Sequence, residues 1–241
     1  MFLHTAANPP SLMNLFINDI PVRILKPGKK AGAGDVNLVL DAKKEAITKA
    51  KLMNHVFVKN ATIDDLDVIL DLVNSKVPID LRSLSVGVDN YEAVKIYLKM
   101  KFKVIKAAGG LVRKKDKFLM IYRMKKWDLP KGKKESNETY TQTAVREVNE
   151  ECHVTVRIGK KICTTWHTYT MNKSSMLKKT RWYMMDVLDD SKIRPAREED
   201  IEELRWMTQK EVYHALENSY RSIHFVFEKY YSKSEKGVVK K

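Results

Sequence analysis

The 241-residue chain has room for two modest domains and carries 45 Lys and Arg against 30 Asp and Glu, a net charge of +15. Two cysteines without framework spacing, Cys152 and Cys163, argue against a disulfide scaffold and for buried thiols in a reducing, cytoplasmic setting. No apolar run reaches the roughly 18 residues that a membrane span needs, and the opening MFLHTAANPPSLMNLFINDI lacks the basic start and apolar core of a signal peptide.

Residues 1–12 are expected to be a disordered leader, with Met1 and Met13 as alternative starts. Residues 13–101 read as a small α/β domain. LFINDIPVRIL and DVNLVLD read as strands, separated by the turn-rich KPGKKAGAGD, and HVFVKN as a third. From Thr62, TIDDLDVILDLVNSK spaces Leu66, Ile69, Leu70 and Val73 as one helical face, with Asp65 completing a capping box. LRSLSVGV then reads as a strand and NYEAVKIYLKM as a helix, so crossover units are expected. GAGDV is too short and wrongly placed for a dinucleotide fingerprint and is assigned to a turn. Nothing here carries chemistry, so the expected role is structural: self-association or contact with a partner.

Residues 102–232 read as a second domain. VIKAAGGLV and FLMIYRM look like paired strands around RKKDK, leading through WDLPKGK into GKKESNETYTQTAVREVNEECHV. A helix over residues 139–151 would place Thr141, Ala144, Val145, Val148 and Cys152 on a core stripe, with Ser136 or Asn137 as its cap. Glu147, Glu150 and Glu151 would then share another face, near the end where the helix dipole disfavours negative charge. Two carboxylates 4 Å apart repel by up to about 4 kcal/mol at an effective dielectric of 20. A stabilising surface would interleave lysines, so the cluster suits a hard divalent cation, Mg2+ or Mn2+.

At this point the residues are recognisable. The stretch resembles the Nudix box, matching it at Gly132, Glu138, Arg146, Glu147, Val148, Glu150, Glu151 and Val154, with His153 where the family has glycine. A left-handed backbone is expected at His153, with altered loop geometry and the metal site retained. The resemblance covers residues about 105 to 210. It implies an α-β-α sandwich with a mixed sheet, and cleavage of a phosphoanhydride in a nucleoside diphosphate linked to another moiety. It also implies metal ligation by Glu147, Glu150, Glu151 and the backbone oxygen of Gly132, with Glu147 either third ligand or base. Arg146 would orient the carboxylates, with Glu138 as partner. WDLPKGK resembles the entry loop of diadenosine tetraphosphate hydrolases, which favours dinucleoside polyphosphates. Inositol pyrophosphates, the substrates of the related diphosphoinositol polyphosphate hydrolases, and ADP-ribose come next, and RNA 5′ ends after them. The rival is a non-catalytic, ligand-sensing regulator; retention of all four box glutamates favours an enzyme.

Ten basic residues fall within residues 113–134, against Asp116 and Asp128. Beside an acidic metal cluster such a rim suits a polyphosphate; solubility charge and nucleic-acid binding are the other readings. Arg123, Lys125, Lys131 and Lys133 are candidate phosphate contacts, and Trp127 either stacks on a base or packs in the core. VTVRIGKKICTTWHTYTM and KKTRWYMMDVL read as strands flanking a basic loop, where His167, Tyr169, Lys179, Arg181 and Tyr183 could line the leaving-group pocket. An acidic loop holding Glu198, Glu199, Glu202 and Glu203 could supply a further base, before a short strand and a helix. Residues 233–241 read as a basic, solvated tail.

Overall fold

The computed structural model describes residues 13–31, 36–75 and 80–238; the expected leader, most of the GAGDV turn and the last three residues lie outside them. Two compact units emerge: one runs to Val104 and takes in Trp166–Leu177, and the other comprises Ile105–Thr165 and Lys178–Lys241.

In the first unit, LFINDIPVRIL is not one strand but a hairpin. β1 (Met13–Ile17) and β2 (Ile20–Leu25) pair antiparallel with Ile17 opposite Ile20. The chain reverses at Asn18 and Asp19, both at positive φ (48° and 64°), the two-residue turn whose twist matches paired strands. β3 (Leu38–Asp41), β4 (Asn54–Ala61) and β5 (Leu81–Val88) complete a sheet ordered β1-β2-β5-β4-β3, in which β2, β5, β4 and β3 are mutually parallel. The crossover between β4 and β5 is α1 (Ile63–Ser75), and α2 (Tyr91–Lys101) follows β5. The capping box at α1 is formed: the Thr62 N–H donates to Asp65 Oδ2 at 2.9 Å and the Asp65 N–H to Thr62 Oγ1 at 3.2 Å. Asn90 caps α2 by accepting from the Ala93 N–H at 3.0 Å. Alternation along the strands sends Val22, Ile24, Val56, Val58, Leu84 and Val86 into one core with Leu66, Ile69, Leu70, Val73, Val94 and Leu98 of the helices.

The second unit is built on β6 (Lys103–Lys114), β7 (Lys117–Arg123), β10 (Thr155–Met171), β11 (Ser174–Asp189) and β12 (Ile201–Thr208), in the order β12-β7-β6-β11-β10. The short β8 (Lys126–Asp128) pairs with β7, and β9 (Lys131–Lys133) with β6. Residues of opposite parity on these strands face different helices. Ala108, Val112, Leu119, Ile121, Tyr183 and Met185 pack with α3 (Tyr140–Cys152). Leu111, Phe118, Met120 and Trp182 pack with α4 (Gln209–Leu216) and α5 (Arg221–Val238). This is the expected α-β-α sandwich with a mixed sheet.

Between β10 and β11 there is no basic loop; Asn172 and Lys173, at φ 49° and 62°, turn the chain directly. The end of that hairpin belongs to the first unit, where Trp166 and His167 pair in parallel with Leu15 and Phe16 of β1 and Leu177 enters the core. Residues 221–238 are helical, so α5 extends into the stretch read as tail. Among the described residues no helix is long and apolar enough to cross a membrane. Both thiols are free, Cys152 buried and Cys163 partly so.

Candidate active site

α3 begins one residue later than its sequence suggests, and Thr139 rather than Ser136 or Asn137 caps it. Its hydroxyl accepts from the Gln142 N–H at 3.2 Å, and Gln142 Oε1 accepts from the Thr139 N–H at 2.8 Å. The helix ends at His153, at φ 55° and ψ 41°, whose N–H donates to the Asn149 carbonyl at 2.7 Å. The left-handed cap expected there is therefore made without glycine.

The buried stripe of α3 is Thr143, Ala144, Glu147, Val148, Glu151 and Cys152, with Thr143 in the place expected of Thr141. Glu147 and Glu151 are 7% and 1% exposed, whereas the Glu150 side chain is 56% exposed. The three glutamates are thus divided between two that face inward and one at the rim.

β9 brings Gly132 against the inward pair. Its pairing with Ala108 places it so close to Glu147 that a Cβ at position 132 would collide with both carboxylate oxygens. Any larger residue there would have to push the Glu147 carboxylate aside. Arg146 joins the remaining acids: Nε donates to Glu138 Oε1 at 2.6 Å, Nη1 to Glu150 Oε2 at 2.7 Å and Nη2 to the Lys133 carbonyl at 3.0 Å. Nη1 also lies 2.9 Å from Glu147 Oε1. Hydrogen bonds from Arg146 hold the Glu138 carboxyl down at about 2. Burial acts oppositely on the inward pair. The Glu147 carboxyl is raised by desolvation, against the pull of Arg146, and Glu151 is pushed up to about 7. Glu151 nonetheless accepts from the Lys131 N–H at 2.8 Å and from Arg123 Nη1 at 3.1 Å.

The other expected phosphate contacts are scattered. Lys131 Nζ is bound to buried Asp128, which also accepts from the Leu129 N–H at 2.7 Å. Lys133 is exposed on β9, and Lys125 sits at φ 62° in the exposed turn after β7. Lys179 lies half-buried on β11, and Arg181 stacks on Tyr140 with its guanidinium carbon 3.8 Å from the ring centre. Tyr183 faces the α3 core. His167 and Tyr169 belong to the first unit. Trp127 is packed on the second core beside Tyr122, their ring centres 4.9 Å apart. The four acids expected in one loop divide: Glu202 and Glu203 lie on β12, where Glu203 pairs with Arg205 at 2.5 Å, while Glu198 and Glu199 precede the strand and the charge of Glu199 adds to the burial that raises the Glu147 carboxyl. The N–H groups of Arg194 and Ala196 donate to the carbonyls of Cys152 and Glu151, docking this loop on the end of α3.

Two residues of the neighbourhood escaped sequence reasoning. Asp128 is one. Lys178 is the other: burial lowers its ammonium to about 8, within the fields of Lys131, Asp128, Glu151 and Arg123. Strand alternation could have found it, because residues 178, 180 and 182 share the face of the buried Trp182.

Among the described residues no three His, Cys, Asp or Glu side chains form a closed ligand set. The reason is visible: Arg146 takes the carboxylates of Glu147 and Glu150, and Arg123 that of Glu151. The donor chemistry nevertheless fits a hard cation. Two buried carboxyls with their ionised forms disfavoured flank a glycine strand that approaches to contact, and a third acid stands at the rim.

The mixed-sheet sandwich is the fold that the resemblance to the Nudix box implies, and within it a glycine strand lies against glutamates of a single helix. Family comparison agrees: the NUDIX domain model matches residues 104–227, just over half of the chain, which therefore belongs to the NUDIX family. Solved structures similar to it include a NUDIX hydrolase from Nitrosomonas europaea, at 24% identity and TM-score 0.45 over 55% of this chain and 73% of that one. A C. elegans Ap4A hydrolase, at 20% identity and TM-score 0.43, aligns over 55% of this chain and 98% of its own. The MutT protein from Methanosarcina mazei Go1 aligns at 21% identity and TM-score 0.45, over 56% and 97%. No curated protein matches by sequence.

Proposed function

We propose that this NUDIX family member is a metal-dependent pyrophosphohydrolase whose favoured substrates are dinucleoside polyphosphates. The observation that carries the reading is the contact of Gly132 with buried Glu147 beside buried Glu151. When bound, Mg2+ would polarise a phosphoryl oxygen and lower the pKa of a water ligand. Glu147, Glu150, Glu151 and the Gly132 carbonyl are the groups that would hold it. Arg146, tied to Glu138, fixes where those carboxylates stand. Exposed Lys125 and Lys133 offer positive charge to a phosphate chain, Arg123 and Lys131 are held in ion pairs with Glu151 and Asp128, and Lys179 and Arg181 offer charge to a leaving group. Of Glu198, Glu199, Glu202 and Glu203, Glu199 is the acid whose charge is felt at Glu147, which supports it as the further base. The dinucleoside preference rests on the WDLPKGK entry loop and on the run of basic residues around it.

The deciding experiment offers the full chain dinucleoside tri- and tetraphosphates, ADP-ribose, an inositol pyrophosphate and a 5′-triphosphorylated RNA, with Mg2+, Mn2+ or EDTA. Metal-dependent release of phosphate-containing products, fastest from the dinucleotides, is expected. Binding of these compounds without turnover of any would overturn the enzyme reading in favour of a sensor.

A further inference from the structure

The two helices of the first unit cover one face of its sheet. Both α1 and α2 pack on the side of Val22, Ile24, Val56, Val58, Leu84 and Val86. Register places Val39, Phe57, Lys59, Ser85 and Gly87 on the other side. Over that second face lies a cleft of about 550 Å³, lined by Pro27–Ala31 and Val36 on one wall and by Val39, Phe57, Lys59, Asn60 and Gly87–Asp89 on the other. Three features make it a built site rather than a dent.

It sits toward the carboxyl ends of β2, β5, β4 and β3, where open parallel sheets bind their ligands. Its floor is apolar: Gly87, in a strand interior, leaves room for the Phe57 ring, whose edge a Cβ at position 87 would meet at 3.3 Å. Its rim is cationic by construction. Pro27 and Gly28, the latter at φ 73°, turn the chain so that the Lys29 N–H donates to the Lys26 carbonyl at 3.1 Å, presenting Lys29 and Lys30 at the mouth. Neither lysine has an ion-pair partner among the described residues, whereas Lys59 pairs with Asp41 at 3.3 Å and Asp89 with Lys43 at 3.6 Å. Val39, 52% exposed on a strand, adds an apolar surface.

We propose that this cleft binds a phosphorylated nucleoside, with the phosphate on Lys29 and Lys30, the flat base against Val39 and the Phe57 edge, and the ribose hydroxyls toward Asp89. The volume falls within the range of small-molecule sites, roughly 300–1,000 Å³. Cations at one end and an apolar floor at the other ask for a ligand with one charged and one flat apolar part. All of its lining residues belong to the first unit, and the proposal is independent of the hydrolase reading.

The test is calorimetric titration of the full chain with AMP in EDTA, where the metal-dependent centre is silent, so that failure of hydrolysis and failure of this site are read separately. One saturable site is expected, with adenosine and inorganic phosphate each binding at least about tenfold more weakly. Lys29→Glu with Lys30→Glu, at exposed positions, and Val39→Trp, which fills the floor from an exposed strand position, should each weaken AMP about tenfold or more. Hydrolysis with Mg2+ should be unchanged in both variants. Absence of saturable AMP binding, or wild-type affinity in both variants, would overturn the proposal. So would inorganic phosphate binding as tightly as AMP, because the apolar half would then be idle.

Discussion

Replacing Glu151 with Gln should make the protein inactive and, in the absence of metal, more stable. The Glu151 carboxyl is 1% exposed and pushed from its ordinary value of 4.5 up to about 7, burial outweighing the Lys131 N–H and Arg123. An acid whose folded pKa is raised holds its proton longer in the folded state than in the unfolded chain. Its ionisation therefore costs nothing below 4.5, costs progressively more as pH rises from 4.5 to about 7, and costs a constant amount above. Two to three pKa units amount to about 3 kcal/mol, an upper bound because Gln gives up the charge on Arg123. Glutamine has the same shape and no charge to desolvate. Denaturant unfolding in EDTA, followed by tryptophan fluorescence, should show the two proteins alike near about pH 4.5 and the variant up to about 3 kcal/mol more stable near about pH 8. Three of the four tryptophans, Trp127, Trp182 and Trp206, report on the second unit. Mg2+ should stabilise wild type more than the variant, and kcat should fall at least about a hundredfold. A stability difference that is the same at both pH values refutes the burial argument, and full turnover in the folded variant refutes the ligand assignment.

Gly132→Ala should destabilise by roughly 1–3 kcal/mol and lower kcat, because its Cβ collides with the Glu147 carboxylate. The stability loss should largely disappear in a Glu147→Ala background, and a loss that persists there would rule out the clash as its cause. The two lysines flanking Gly132 should part company. Lys131→Ala strands buried Asp128 and should cost about 3 kcal/mol of stability by thermal unfolding. Lys133→Ala, at an exposed position, should instead raise KM most for the longest phosphate chains and reduce its dependence on salt. Residues 105–241 expressed alone should be aggregation-prone, since Trp166 and His167 lose their pairing with β1 and Leu177 loses its core. Light scattering would show this, and a monodisperse, active fragment would contradict it.

The helix of the candidate site could be read from the chain because its logic is local. Residues three and four apart meet on a helix whatever surrounds it, so the grouping of Glu147, Glu150 and Glu151 follows from spacing, whereas the partner of Arg146 and the left-handed end at His153 were implied by the resemblance to the Nudix box. The capping box at Thr62 was legible for the same reason, whereas the true cap of α3, Thr139, lost out to nearer-seeming Ser136 and Asn137. What spacing could not decide was which acids turn inward. That is set by the sheet beneath, which buries Glu147 and Glu151 and leaves Glu150 at the rim. Strand partners are chosen over long separations, and no local period records them. Pairing of β9 with β6 brings Gly132 onto Glu147; docking of residues 194–196 brings Glu199 toward the same helix; pairing of β1 with β10 places His167 and Tyr169 in the first unit. The first unit shows the contrast most sharply. Its strands and helices were nearly all visible as alternation and period, yet its sequence carried no chemical signal. Only the parallel order β2-β5-β4-β3, with both helices on one face, gathers Lys29, Lys30, Val39, Phe57 and Gly87 around one cleft, because a sheet face is assembled from residues that never neighbour one another in the chain.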